Sequence, residues 1–535
     1  MSRLRASHRS RTAARAAPAG LGIALLVAAP ATAQITGSNL LQARVGVDPY
    51  DPRLDVPDNR YTLFDQFHLD YDHASLQLGF RFEHYDASED GSLGYSEFVQ
   101  RYAVWRDRGL SVRVGNFHAL LGRGLLLRAF ELPGVVREEQ FRQYGYLRDM
   151  DGASVEFRHG TFEAVVLSGK PRRADEPPET ERSGLASGAQ ASMRVVPGLE
   201  LGAEYLRFDA QNGGPTTEVP GGFAQIAFEP WLAKMGLESV TLGAYVEYAE
   251  AMGLDPATSI ATGVDPDEGR GTYVATDLSI PLIGPHLHAG ASWEYKDYRN
   301  LLLPGGINEP PTLVREHTYA LLNRSTHVLE PAQEEGSQFE TRFDWRRRVD
   351  LTLNWSRAEN ADTRRFREFF AELAAHRGAL GLSLFYDESE DGSTIPPVFD
   401  RRTLGTHALL PFHPEHSVEL EVERMEGTRD LSTGDIDFTD EYASLTYAWA
   451  SHLSLTAAYT RTDDPGDPGA GEPDPATGVY PRHDFASLGL SVRVSSQHEV
   501  LAFWGQRRGG IACTAGTCYL VPAFDGVSVQ LSSRF

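Results

Sequence analysis

His416-Ser417-Val418-Glu419-Leu420-Glu421-Val422-Glu423 alternates apolar and acidic residues with a period of two. A strand turns successive side chains to opposite faces, so Val418, Leu420 and Val422 share one face and Glu419, Glu421 and Glu423 the other. Three successive carboxylates do not fit a dry core, because burying unpaired charge is costly. They fit a strand set between water and lipid, with a water-filled lumen on the acidic side and hydrocarbon on the other. From this run alone, a soluble sandwich with one wet face stays open.

Working outward, the same alternation recurs from about residue 37 to residue 535. Val240, Leu242, Ala244, Val246 and Tyr248 oppose Thr241, Gly243, Tyr245 and Glu247, and Leu287 to Tyr295 opposes His286 to Lys296 around Glu294. About 24 such runs can be marked, each bounded by Gly, Pro, Asp or Asn, with no long helical pattern and no linker. Their connections separate the two readings. Short joints such as Asp107-Arg108-Gly109, His159-Gly160, Pro197-Gly198 and Ser451-His452 alternate with long ones such as 47–60, 118–150, 170–187, 251–270, 463–482 and 507–524. Short turns on one rim and long loops on the other are the pattern of an outer-membrane barrel. The fold expected is therefore all-β: one antiparallel transmembrane β-barrel of roughly 20–24 strands over residues 34–535. An even count places both termini on the short-turn side and turns the long loops, including the one that holds both cysteines, outward. Residues 313–335 fit neither pattern and are assigned to a long loop.

The ends agree with export. Arg3, Arg5, Arg9, Arg11 and Arg15 precede the short apolar stretch 20–29 and Ala31-Thr32-Ala33, the features of a secretory signal peptide over residues 1–33. The chain has a formal charge of −24, and the leader holds five Arg and no acid, so the remainder stands near −29. Nucleic acid is excluded as a partner on that balance. Cys513 and Cys518, the only cysteines, are expected to form a local disulfide in an exported protein. Val527, Val529 and Leu531 alternate with polar residues toward a terminal Phe535. Such an ending resembles the assembly signal that the barrel-assembly machinery reads in outer-membrane barrels; an aromatic in an interfacial girdle is the plainer reading.

Two motifs carry chemistry. Asp86-Ala87-Ser88-Glu89-Asp90-Gly91-Ser92-Leu93-Gly94-Tyr95-Ser96-Glu97 resembles an EF-hand loop, with Asp86, Ser88, Asp90, Ser92 and Glu97 at ligand positions. Its flanks alternate as strands rather than helices. Tyr386-Asp387-Glu388-Ser389-Glu390-Asp391-Gly392-Ser393 nearly repeats its first part and has Val398 in place of the distal Glu, which also suits an acidic hairpin turn. Calcium here is the one cofactor that the sequence raises. The second motif is Gly115-Asn116-Phe117, then Gly122-Arg123-Gly124, Leu125-Leu126-Leu127 and Arg128, opening the longest loop. It resembles a little-studied family of large porin-like outer-membrane proteins, which implies fold and location but no substrate. Two placements stay open. Either the loop folds into the lumen, with Arg123 and Arg128 facing an acidic wall, or it lies outside with its arginines paired to Glu131, Glu138 and Glu139.

His413-Pro414-Glu415-His416 reads as turn chemistry, and no hydrolase, zinc-protease or phosphate-loop motif occurs, so an enzyme is not expected. The segment between Gln34 and the first strand leaves no room for a plug domain, which disfavours an energised transporter. The function expected is a porin-like channel for small solutes, narrowed by its loops and cation-preferring through Glu247, Glu294, Glu419, Glu421 and Glu423. The alternative is a closed surface barrel acting as a scaffold, and an outer-membrane hydrolase comes last. Outer-membrane lipid and lipopolysaccharide are the partners expected; solute and oligomeric state are not legible.

Overall fold

The computed structural model describes residues 33–535, apart from 48–59, 88–92, 140–141, 174–176, 179, 183, 212–213, 255–267, 330–332, 361–364, 395, 468–472, 474–479 and 515–516. All but one residue of the leader therefore lies outside the described residues.

Along the first half run β1 (Gln34–Val47), β2 (Arg60–His73), β3 (Leu76–Ala87), β4 (Tyr95–Asp107) and β5 (Leu110–Phe117). Next come three strands outside the barrel sheet, β6 (Ala119–Leu121), β7 (Leu127–Glu139) and β8 (Arg142–Arg148). Then follow β9 (Met150–His159), β10 (Phe162–Pro171), β11 (Leu185–Val196), β12 (Leu199–Asp209), β13 (Thr216–Ala227), the helix α1 (Glu229–Lys234) and β14 (Thr241–Met252). The middle of the chain supplies β15 (Glu268–Pro281), β16 (Leu287–Arg299), the helix α2 (Ala320–Arg324), β17 (Gln333–Trp345), β18 (Val349–Asn360), β19 (Arg365–Arg377) and β20 (Leu380–Asp391). The last third holds β21 (Val398–His413), β22 (His416–Leu431), β23 (Gly434–Trp449), β24 (Leu453–Thr462), β25 (His483–Arg493) and β26 (His498–Arg507). It ends with β27 (Gly510–Thr514), β28 (Thr517–Val521) and β29 (Phe524–Arg534).

Twenty-four of these strands form one antiparallel sheet. β5 skips β6, β7 and β8 to pair with β9, β26 skips β27 and β28 to pair with β29, and β29 pairs with β1 to close the barrel. At a strand spacing of about 4.8 Å and a tilt of about 40°, the closed sheet is about 48 Å across through its backbone. Phe535 seals the seam: its N–H and carbonyl exchange hydrogen bonds of 3.0 and 2.8 Å with Gly37.

The alternation read from the sequence sets the two faces. Val246 and Tyr248 are 43% and 46% exposed, whereas Glu247 between them is fully buried. Going from the short-turn rim, the outward residues of many strands are apolar for about 13–20 Å, then meet an aromatic and then a charge. Leu242, Ala244 and Val246 lead to Tyr248 and Glu250; Leu351 and Leu353 lead to Trp355 and Arg357; Leu453, Leu455 and Ala457 lead to Tyr459 and Arg461. Six of the seven tryptophans are exposed on this surface. An apolar band edged by aromatics is the outer surface of a barrel in lipid, and no described helix is long and apolar enough to span a membrane.

Three details depart from the sequence reading. β22 and β23 run to 16 residues each and meet in a tight turn at 432–433, because beyond the apolar band both faces are polar and period-two alternation disappears. The stretch 313–335 holds α2 and the first residues of β17. The cysteine loop does not face outward. Its hairpin, β27–β28, is turned over the lumen, and Cys513 is buried there.

Candidate functional site

The lumen is occupied by the protein's own connections. Among the described residues, three of them enter from the long-loop rim, within 118–149, 300–329 and 508–523. The first folds into a small sheet in which β7 pairs with β6 and β8. Its Leu-Leu-Leu run supplies an apolar core: Leu121, Leu125, Leu126 and Leu127 are at most 1% exposed and pack with Leu206, Tyr245, Tyr298, Leu301 and Leu303. A run of buried leucines far from any lipid explains why this connection is folded rather than a tether. Gly122 and Gly124 make the tight entry, at φ +58° and +98°. A Cβ at Gly122 would lie 2.0 Å from the Glu247 carboxylate, so only glycine fits.

Polar anchors fix this segment to the wall. The Arg123 N–H donates to Glu247 Oε2 at 2.8 Å, and the Gly122 N–H to Gln190 at 2.8 Å. The Arg123 guanidinium stacks over Tyr245 at 4.3 Å. Arg81 pairs with Glu131 at 2.8 Å and Arg44 with Glu138 at 2.7 Å. Buried Asp149 closes the exit, accepting from Asn116, Arg172 and Arg182 at 2.8, 3.1 and 2.7 Å. Burial would raise the Glu131 carboxyl, but the Arg81 guanidinium holds it below its ordinary value, while burial pushes the His118 imidazole down.

The second segment crosses the lumen against the first. Buried Asn308 donates to the Leu125 and Leu301 carbonyls, and Glu309 pairs with Arg148 and, at 3.7 Å, with Arg128. Farther along, the Ala320 and Leu321 N–H groups both donate to Glu423, at 2.7 and 2.9 Å, which pins the start of α2 to β22. His327 lies between Asp391 at 3.1 Å and Glu334 at 3.4 Å. Burial alone would lower this imidazole; the two carboxylates outweigh it and raise it to about 9.

The third segment is the disulfide hairpin, with Cys513 bonded to Cys518. Asn323 of α2 exchanges two hydrogen bonds with the Cys513 backbone, at 2.9 and 3.1 Å. Arg508 at its base is buried and pairs with Asp440 at 2.7 Å and Asp467 at 2.5 Å, with Asp464 at 3.9 Å. Arg324 caps the Arg508 and Gly509 carbonyls; burial, then the neighbouring arginines, lowers it to about 10.

Two spaces remain. A cavity of about 410 Å³ lies among α2, the hairpin and the wall, lined by Arg324, Arg401, Arg429 and Arg508 against Asp391, Asp440, Asp464 and Asp467. A second, of about 680 Å³, is bounded by Arg123, Arg128 and Glu309 of the inward segments and by Glu200, Gln225, Glu294 and Gln338 of the wall. Opposed charges across such a gap set up a transverse field.

The residues singled out in the sequence thus fall into different places. Arg123, Arg128 and Glu294 come together at the larger cavity, where Glu294 accepts the Tyr273 hydroxyl at 3.0 Å. Glu247 and Glu423 are buried as acceptors for the inward backbone. Glu419 faces lumen water with His407 at 2.6 Å, and Glu421 is half-buried beside it. Asp86 and Glu97 are exposed on β3 and β4, and Ser88, Asp90 and Ser92 lie outside the described residues. Sequence reasoning missed the anchors Asp149, Arg508 and His327, most of whose partners are distant in the chain. It also missed His317, Glu368 and Asp387, the one group of three with metal-ligand spacing among the described residues.

This arrangement defines a class: a large transmembrane β-barrel whose lumen is filled by its own long connections. The chain belongs to DUF6029, a family of unknown function, whose model matches residues 32–360. No curated protein sequence matches it. Among solved structures it is similar to the P pilus usher translocation pore, at 11% identity over 94% of this chain and 99% of that one, with a TM-score of 0.47. It is also similar to the ferric enterobactin receptor of Pseudomonas aeruginosa (10% identity, 94% and 81% covered, TM-score 0.43) and to OccAB1 of Acinetobacter baumannii (10%, 68% and 91%, 0.37).

Proposed function

We propose that this chain is an outer-membrane channel for small charged solutes, with a passage narrowed by its inward segments and a preference for cations. The observation that carries the reading is the 680 Å³ cavity, which sits between the filled half of the lumen and the short-turn rim. The wall around it and toward that rim contributes Glu200, Glu294, Glu340, Glu372, Glu419 and Glu421. Together with Asp277, Asp344 and Asp350 of the same inner face these outnumber Arg123, Arg128, Arg194, Arg315, Arg342 and His407, an excess of acid that favours cations. The apolar outer band makes lipid the surrounding medium, and the terminal Phe535 suits recognition by the barrel-assembly machinery.

Recording from refolded protein in a planar bilayer under a salt gradient tests the proposal. The wild type gives a cation-selective reversal potential, and Glu294→Gln with Glu421→Gln reduces it. A reversal potential that the pair leaves unchanged counts against the acidic wall as the selectivity element. Glu423 is kept out of this test because its loss would unseat α2. A second reading, a closed barrel serving as a surface scaffold for lipopolysaccharide or another partner, draws on the leucine core that fills the long-loop half. Folded protein that never conducts would favour it.

A further inference from the structure

We propose that His317, Glu368 and Asp387 form a divalent-metal site that staples the second inward segment to the barrel wall. His317 comes from residues 300–329. Glu368 and Asp387 lie on the inner faces of β19 and β20, where Asp387 is registered opposite Phe370 and Glu368 opposite Ser389. The two carboxylates are thus diagonal neighbours on one surface, and the imidazole descends on them from the lumen. One ligand atom from each of the three lies within 4.8 Å of the others, and His317 Nε2 is 3.2 Å from Glu368 Oε1.

The site is dry. His317 and Glu368 are 2% exposed and Asp387 is fully buried, with the Phe370 ring 4.7 Å from the imidazole. Three polar atoms there have no hydrogen-bond partner: His317 Nδ1, Glu368 Oε2 and Asp387 Oδ2. Arg401 is a counter-charge near Asp387 but makes no hydrogen bond to either carboxylate: it donates to the Ser389 hydroxyl at 2.7 Å, which in turn donates to Asp387 Oδ1 at 2.9 Å, and to the Ser325 carbonyl at 2.9 Å. Two buried carboxylates with orphaned oxygens and one imidazole are an expensive group to leave without a cation.

A set of one nitrogen and two carboxylate oxygens suits a borderline divalent ion such as Zn²⁺, rather than Ca²⁺, which takes six to eight oxygens. Bonds of about 2.0–2.2 Å need the donors to close by roughly 1 Å, within reach of side-chain rotation. The bound ion would tie a lumen segment directly to two wall strands.

The test uses full-length refolded barrel, its fold verified by heat-modifiable gel migration, stripped with chelator and titrated with ZnCl₂ alone. One Zn²⁺ per chain should be retained through gel filtration. Glu368→Gln with Asp387→Asn should lose it, as should His317→Gln, which leaves the wall strands untouched should the first variant fail to fold. Co²⁺ in place of Zn²⁺ should give visible d–d absorption in the wild type only. Folded wild type that retains no metal, or variants that retain as much as the wild type, overturns the assignment.

Discussion

Replacing Arg508 with methionine should release the disulfide hairpin while leaving the barrel standing. Methionine keeps most of the side-chain volume and removes the charge. Arg508 holds Asp440 and Asp467 at 2.7 and 2.5 Å in a place where all three are nearly inaccessible to water. Removing one partner of a buried ion pair costs about 3–5 kcal/mol, because the other charge stays buried without compensation. Asp464 keeps its bidentate contact with Arg429, so the loss falls on two carboxylates. Its other ties among the described residues include Arg324 to the Arg508 and Gly509 carbonyls, Asn323 to Cys513, Thr517 to Glu309 at 2.8 Å, and the Tyr146–Tyr519 ring contact, none of which compensates a buried charge. A change of that size multiplies local opening by about 10² to 10³·⁵, at 1.4 kcal/mol per tenfold. Hydrogen exchange over residues 508–523, with β22 and β23 as internal reference, reads it directly. Adding Asp440→Asn and Asp467→Asn to Arg508→Met should recover much of the protection, since no naked charge then remains. Unchanged exchange of the hairpin in the single variant would refute the argument that this buried network holds it in place.

Two further outcomes follow from the inward segments. The His327 imidazole is raised from its ordinary 6.5 to about 9 in the folded protein, so the stability it contributes, about 3 kcal/mol, is fully present below pH 6.5 and is lost as pH rises through 9. Protease resistance of residues 300–329 should therefore fall between pH 6.5 and 9.5 in the wild type, and His327→Gln should flatten that dependence; resistance that rises with pH would contradict it. Cys513–Cys518 closes a short loop, so Cys513→Ser with Cys518→Ser should cost about 2 kcal/mol on a chain-entropy basis and should speed exchange in the hairpin alone, with no change in the barrel's thermal transition.

The sequence reveals the wall far better than the fill. Period-two alternation is a local property, and each of the 24 barrel strands carries it wherever one face meets lipid. It fades where β22 and β23 rise past the apolar band: outward Arg424 and Glu426 are as polar as their surroundings, and the strand looks like a loop. The fill is built from contacts between residues that are far apart in the chain. Glu247 and Glu423 have the parity of lumen residues, as alternation requires. Nothing local shows that they accept N–H groups from residues 123, 320 and 321. One signal was available: Leu125-Leu126-Leu127 is too apolar for a connection left in water. The cysteine hairpin gave none, because a short disulfide loop looks the same facing outward or turned over a lumen. His317, Glu368 and Asp387 escaped for the same reason, being one loop residue and two inward strand residues.

Its own connections close down this wide barrel. Phe117 is registered directly opposite Met150 on β5 and β9, so residues 118–149 can be replaced by a two-residue Asn-Gly turn without disturbing the wall. Single-channel recording of this variant beside the wild type is the most direct measurement. Small cation-selective steps in the wild type, and steps larger by about tenfold or more in the variant, as expected when part of a lumen this wide is emptied, are the predicted result. Equal conductance from two verified folded barrels, or silence from both, would contradict the claim.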